Sequence, residues 1–188
     1  REAKREVSLN LGRNSFSVPE SYEPPCEKEI LLFLPCTKDK PYKSARSHQA
    51  IASALHRDSR VHTVTVSGLY GPVPEELEES VEVMQYDYVL SPEAAEQLMF
   101  VQDRLVAYLT KYGNAYRGIF AYATSRAYRT VLERAFRKAG LGIILPTNPA
   151  ERTTKEFLRY ENIQELQQTV GPLLTGATFA ETQLALTI

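Results

Sequence analysis

Hydrophobic residues along this chain fall into short runs, separated by stretches with a helical period. Ile30 to Leu34 (ILLFL) is continuously apolar and stopped by Pro35, the pattern of a strand buried on both faces, as in parallel sheets. Val61 to Val66 (VHTVTV) is β-branched, ends at Ser67-Gly68, and reads as a second strand. Arg117 to Ala123 and Gly142 to Leu145 read as two more, and Tyr86 to Leu90 as a weaker one. Between them the period lengthens. Ala45 to His56 puts His48, Ile51, Ala52 and Leu55 on one helical face. The longest helix is expected from about Pro92 to Tyr112, with Gly113 as its stop. Ser125 to Ala139 reads as a helix capped by Ser125 or Thr124 and ended by Gly140, and Ile163 to Leu174 as a closing helix. Gly71-Pro72-Val73-Pro74 reads as a turn, and Glu75 to Glu79 as one or two helical turns.

Strands alternating with helices imply an α/β chain, a three-layer α/β/α sandwich around a mostly parallel sheet. Residues 1–27, polar and marked by Pro19, Pro24 and Pro25, are expected to form an extended arm. The core domain is expected over 28–175, with a tail at 176–188. Ligands of such sheets bind at the carboxyl ends of the strands. That rule nominates Pro35 to Ser47, Ser67 to Pro74, Ala123 to Arg126 and Pro146 to Ala150.

Composition narrows this only slightly. The chain has 188 residues, 43% hydrophobic and 24% charged, with a net charge of -1, which suits one globular domain. No apolar run reaches the roughly 20 residues that span a bilayer, so no membrane is expected. Cys26 and Cys36 are too few for a disulfide framework, and no Cys or His pair stands at metal spacing. Arg1 to Glu6 is charged and has no apolar core of a secretory signal, so a cytoplasmic, reduced setting is expected. The abrupt opening suggests a piece of a longer protein.

The densest chemistry lies in PCTKDKPYKSARSH, Pro35 to His48. It starts where the first strand ends and finishes in the first turn of the next helix. A helix N-terminus favours anions and lowers a nearby thiol's pKa, so Cys36 is a candidate nucleophile. His48 shares a face with Ile51 and Leu55 and is expected to point toward the sheet edge. The loop has too little glycine for a Walker-type cradle, and Cys36 as a small buried residue is the plain alternative.

This segment resembles the signature of the core domain of the archaeosine synthase family: Pro-Cys, three residues, Lys-Pro-Tyr, two, Ser, two, His. Pro35, Cys36, Lys40, Pro41, Tyr42 and His48 match it in type and spacing. Ala45 stands where the pattern has serine, flanked by Ser44 and Ser47. SGLYGPVPEELEES followed by Tyr86-Asp87 is similar to a second block of the family, and the likeness covers about Glu29 to Ala150. The resemblance implies a fold like that of uracil-DNA glycosylases and a transferase core of archaeal tRNA modification. Its substrate would be tRNA carrying 7-cyano-7-deazaguanine, and its amine donor lysine. A radical-SAM partner, a transglycosylase and an RNA-binding PUA-domain protein are the implied companions. No cofactor and no metal is implied for adding an amine to a nitrile.

Under that resemblance Cys36, Lys40, Tyr42 and His48 are the expected catalytic set. Cys36 would attack the nitrile to form a thioimide, or would only line the pocket while the amine attacks directly; the residues leave both open. Lys40, Tyr42 and His48 are the expected proton donors. Pro35, Asp39, Pro41, Ser44, Ser47, Gly68, Tyr70 and Asp87 are the expected substrate-binding residues. The charge is uneven: between Lys111 and Lys138 seven Lys or Arg face Glu133 alone. Arg126, Arg129 and Arg137, with Lys38, Lys43 and Arg46, are expected to form a phosphate-facing rim. Tyr42, Tyr70, Tyr122 and Tyr128 are candidates to stack an extruded base, with Tyr42 and Tyr70 favoured by their loop positions. A tRNA-binding or transglycosylase-docking module without nitrile chemistry stays open beside this reading, as does, by fold analogy, a base-excision glycosylase.

Overall fold

A computed structural model of the chain describes residues 12–175; the first part of the expected arm and the tail at 176–188 lie outside them. Five strands make one sheet: β1 Ile30–Pro35, β2 Val61–Ser67, β3 Gly71–Pro74, β4 Gly118–Tyr122 and β5 Ile143–Leu145. Their order is β3-β2-β1-β4-β5, parallel throughout except for the antiparallel pair β2 and β3. The helices are α1 Arg46–Ala54, α2 Val81–Gln85, α3 Ala95–Tyr112, α4 Arg126–Ala139 and α5 Tyr160–Leu174. None of them is long and apolar enough to cross a membrane.

Alternation along β1 divides its apolar run between two cores. Leu31 and Phe33 pack with Val64, Val66, Leu105, Val131 and Leu132, beneath α3 and α4. Ile30, Leu32 and Leu34 pack on the other face with Ile51, Leu55, Leu166 and Val170 of the α1 and α5 layer. All five side chains are at most 2% exposed, so the strand exists only between two helical layers. That is the α/β/α sandwich that the pattern predicts.

Three elements differ from expectation. Gly71 to Pro74 is not a turn but the edge strand β3; the turn lies at Gly68 to Tyr70, where Ser67 Oγ accepts the N–H of Leu69 and Tyr70 at 3.2 and 3.0 Å. Proline cannot donate to a ladder, and Pro72 and Pro74 are tolerated because β3 is outermost. Tyr86 to Leu90 joins no strand. It crosses the β2–β3 turn, so close that a Cβ on Gly68 would come within 2.9 Å of the Leu90 nitrogen. α3 begins at Ala95 rather than Pro92, because Ser91 Oγ takes up the Glu93 carboxylate in a preceding turn (2.7 Å). At the end of α4, Gly140 adopts the left-handed conformation (φ 72°) that stops a helix.

The described part of the expected arm lies against the domain. Phe16 is buried with Tyr70 and Val73, and Arg104 donates to its carbonyl (2.6 Å). Lys111 donates to the Glu20 carbonyl and the Tyr112 hydroxyl to that of Tyr22 (2.8 and 2.7 Å).

Phe33, fully buried against the rings of Tyr108 and Phe136, tests the two-sided role of β1. Phe33→Ala is expected to cost about 3–5 kcal/mol, read as a lower urea midpoint at unchanged slope.

Candidate active site

The sheet reverses its winding between β1 and β4, which are adjacent in space and far apart in sequence. The carboxyl ends of two such strands diverge and leave a crevice. A cleft of about 460 Å³ opens there. Pro35, Cys36, Thr37, Lys38, Lys40 and Ser47 come to it from the β1–α1 loop. Asp87, Tyr88 and Val89 form a second wall, Thr124, Ser125 and Tyr128 a third, and Thr154 and Phe157 close it.

Cys36 is the first residue past β1, half-buried, with its N–H on the Val66 carbonyl (3.1 Å). Its Sγ lies 2.7 Å from the Tyr128 hydroxyl of α4, a side-chain bond across the crevice. Burial, then the neighbouring sulfur, pushes the Tyr128 hydroxyl above its ordinary range, so Tyr128 stays protonated. A Cβ on Gly68 would stand 3.2 Å from that same hydroxyl; the bare glycine leaves room for it. The buried Thr124 hydroxyl in the wall has no hydrogen-bond partner among the described residues.

The other expected catalytic residues are placed differently. Lys40 reaches the cleft, but its ammonium donates to the Tyr86 carbonyl (2.9 Å) and sits over the Tyr86 ring, 4.2 Å from its centre. Tyr42 is fully buried, its hydroxyl 2.6 Å from that of Tyr86. His48 is buried too, and its Nε2 donates to the Pro35 carbonyl at 2.8 Å. Burial lowers its pKa more than that carbonyl raises it, so His48 is neutral and fixes the strand end rather than facing the cleft. Their apolar surroundings explain this: the helical face shared with Ile51 and Leu55 carries His48 under the loop, not to its mouth.

Among the expected substrate-binding residues, Pro35, Ser47 and Asp87 line the cleft. Gly68 lies behind it, and Tyr70 is buried with its hydroxyl on Ser15 (3.0 Å), away from it. Asp39 and Ser44 are exposed and do not line it; Ser44 Oγ donates to the carbonyl of Pro41, which follows a cis peptide bond. Tyr122 is fully buried, donating to the Phe157 carbonyl (2.6 Å). Ala45, at 2% exposure, is the N-cap of α1 and supplies no side-chain cap. A serine there would meet the helix's free N–H groups, so the departure from the family pattern falls on capping.

The expected basic rim is only partly assembled. Lys38 lines the cleft, and the exposed Arg46 and Arg126 each adjoin a lining serine, Ser47 and Ser125. Arg129 is 2% exposed; its guanidinium donates to the carbonyls of Ala123 and Pro146 (2.9 and 2.7 Å) and meets Glu133 at 3.3 Å. It ties the ends of β4 and β5 and offers nothing to a phosphate. Arg137 is exposed but lies 11 residues beyond Arg126, about 16 Å along α4. Lys43 points to the far side of α1 and pairs with Glu79 (3.2 Å). Tyr88, Thr124, Ser125, Thr154 and Phe157 line the cleft without having been among the expected site residues. The nominated strand ends Ala123 to Arg126 contained two of them.

A second concavity of about 350 Å³ lies under α1, between His48, Lys43, Thr63 and Glu78. Glu78 is 2% exposed and accepts the Lys43 N–H at 3.3 Å. Burial outweighs that bond and pushes its carboxyl up to about 7.

The chain matches the family described as "Domain of unknown function (DUF5591)" over residues 13–169. It is 30% identical over 174 residues to the archaeosine synthase subunit alpha of Methanosarcina acetivorans, covering 92% of this chain and 26% of that protein. With the archaeosine synthase subunit alpha of Thermococcus kodakarensis it shares 31% over 158 residues, 80% of this chain and 27% of that one. With the archaeosine synthase of Haloferax volcanii it shares 30% over 128 residues, 68% and 21%. The chain thus spans about a quarter of the length of these relatives. A crystal structure of AF0587, a protein of unknown function, has a similar fold: TM-score 0.55, 24% identity, 80% of this chain and 46% of that one.

The raised Glu78 carboxyl makes a signed prediction. Its folded pKa lies above the unfolded value, so its charged form opposes folding as pH rises from about 4.5 to about 7. Glu78→Gln keeps the acceptor for Lys43 and removes the charge. The variant's thermal midpoint relative to the parent is expected to be higher at pH 8 than at pH 5, measured by melting both proteins across that range.

Proposed function

The chain belongs to the DUF5591 family, and from that premise we propose that it is the nitrile-processing core of an archaeosine synthase. The observation that carries the reading is the Cys36–Tyr128 pair, 2.7 Å apart in a cleft at the switch point of the sheet. The relatives named archaeosine synthase support the same assignment.

In this reading 7-cyano-7-deazaguanine, presented by tRNA, enters the cleft with its nitrile toward Cys36. The sulfur adds to the nitrile carbon, a C–S bond forms, and the thiol proton passes to the nitrile nitrogen to give a thioimide. Tyr128, kept protonated by burial, donates to the charge that develops on that nitrogen and is replenished from the thiol. An incoming amine, lysine being the proposed donor, then attacks the same carbon. The C–S bond breaks, the thiol regains a proton, and the base carries a substituted amidine. Asp87, exposed on the cleft wall, is placed to orient the amine, and Phe157 and Tyr88 supply apolar surface for the base. Lys40 acts as a peg that holds the Tyr86 segment against the loop, and His48 positions Cys36 through Pro35. Lys38, Arg46 and Arg126 meet the tRNA phosphates.

Intact-protein mass spectrometry with the free cyano base tests the chemistry. The parent is expected to form a covalent adduct that lysine releases, and Cys36→Ala none; an adduct or unchanged turnover in Cys36→Ala would overturn the thioimide route. Tyr128→Phe keeps the ring and is expected to slow adduct formation about a hundredfold or more with little change in affinity for the base.

Binding of tRNA at several salt concentrations tests the rim. Lys38→Ala and Arg126→Ala are each expected to reduce the salt slope by about 1, whereas Arg137→Ala leaves it unchanged.

A further inference from the structure

At the end of the sheet opposite the cleft, β2 and the residues after β3 gather donors that the proposed chemistry does not use. Val64 pairs with Pro74 in the β2–β3 ladder, and continuing that register by two residues sets His62 opposite Glu76. His62 lies five residues before the end of β2, Val61–Ser67, about 16 Å from the cleft end of the strand. Its imidazole is fully buried, with Nε2 at 2.8 and 3.0 Å from the two carboxylate oxygens of Glu76. Glu75 Oε1 lies 4.0 Å from the same nitrogen, and one ligand atom from each residue falls within 4.8 Å of the others.

Three features separate this cluster from an ordinary histidine–carboxylate pair. Nε2 faces both oxygens of Glu76 almost equally, the approach of a chelated centre. His62 Nδ1 is held by the Tyr116 hydroxyl at 2.6 Å, which meets the Tyr108 hydroxyl at 3.0 Å, and Tyr22 donates to Glu76 at 3.1 Å. Metal-binding histidines and carboxylates are oriented by outer partners of this kind. Finally, Glu75 Oε1 is buried and is held by the Lys28 ammonium, 3.0 Å away, which also donates to the Val61 carbonyl at 3.2 Å. A second carboxylate thus brings a buried oxygen to the histidine, its charge compensated by a lysine ammonium that a metal ion would displace.

We propose that His62, Glu75 and Glu76 bind one first-row divalent cation of the zinc class. With ligand bonds of about 2.0–2.2 Å, nitrogen and oxygen stand roughly 3 to 3.4 Å apart, a little wider than the 2.8 and 3.0 Å to Glu76 and narrower than the 4.0 Å to Glu75, so Glu75 closes in on binding. In the bound form the Nε2 lone pair faces the ion, Nδ1–H donates to Tyr116, and Lys28 is displaced. Water completes the coordination, as in other sites with three protein ligands. The ion fastens the start of β2, the Glu75–Leu77 turn and, through Tyr22, the N-terminal segment. The inference does not depend on the chemistry of the cleft.

Chelator-treated protein titrated with zinc by calorimetry, and with cobalt by visible absorption, tests this. One ion per chain, a cobalt ligand-field band and a raised thermal midpoint are expected. Glu75→Gln and Glu76→Gln, both partly exposed and conservative, should each weaken binding about tenfold or more. Lys28→Met removes the competing ammonium and should tighten it. No saturable binding in either the parent or Lys28→Met overturns the proposal. So does binding that both glutamine variants retain, or that Cys36→Ala abolishes, which would move the ion to the cleft.

Discussion

Everything in this fold depends on covering β1 from both sides. Five consecutive side chains of Ile30 to Leu34 are nearly or fully buried, split by alternation between two cores. A strand of that composition is stable only if one helical layer claims Leu31 and Phe33 and another claims Ile30, Leu32 and Leu34. The sandwich is the consequence. So is the position of the cleft, because the central strand of a two-way winding is also where its connections diverge.

The same geometry explains why one loop holds so many reactive residue types and exposes so few of them. Pro35 ends the strand, Cys36 emerges, and the chain must return beneath α1 while keeping its polar groups satisfied. His48 takes the Pro35 carbonyl, Lys40 that of Tyr86, and Tyr42 and Tyr86 pair their hydroxyls. Each group spends its hydrogen-bonding capacity on holding the loop, in keeping with the cost of leaving a buried polar group unpaired. Of the four expected catalytic residues, Cys36 is the one left facing a side chain across the crevice, the tyrosine of the facing helix.

Much of the architecture was legible from periodicity, because burial on one face or two leaves a direct trace in the sequence. The continuous run in β1 and the stripe through Leu98, Val101 and Leu105 in α3 are such traces. Tyr86 to Leu90 carries the same trace without being a strand, since apolar alternation reports burial and not pairing. Cys36 was legible from its place at a strand end. Its partnership with Tyr128 was not, because 92 residues and a sheet crossing separate them. Arg129 misleads for the complementary reason: a helical stripe of arginines looks alike whether it faces solvent or the carbonyls of Ala123 and Pro146. His62, Glu75 and Glu76 form no spacing motif, because the ladder between two strands, and not one helix or loop, brings them together.

The composition of β3 limits how larger assemblies can form. Two of its four residues are proline, so the outer margin lacks donors at two positions and cannot template a further strand. β5, at the opposite margin, has three residues and offers almost no length for pairing. A polypeptide that binds this domain is therefore steered away from extending the sheet and toward the helical faces or the strand ends. The flanks of the sheet act as stops, and recognition is left to side chains.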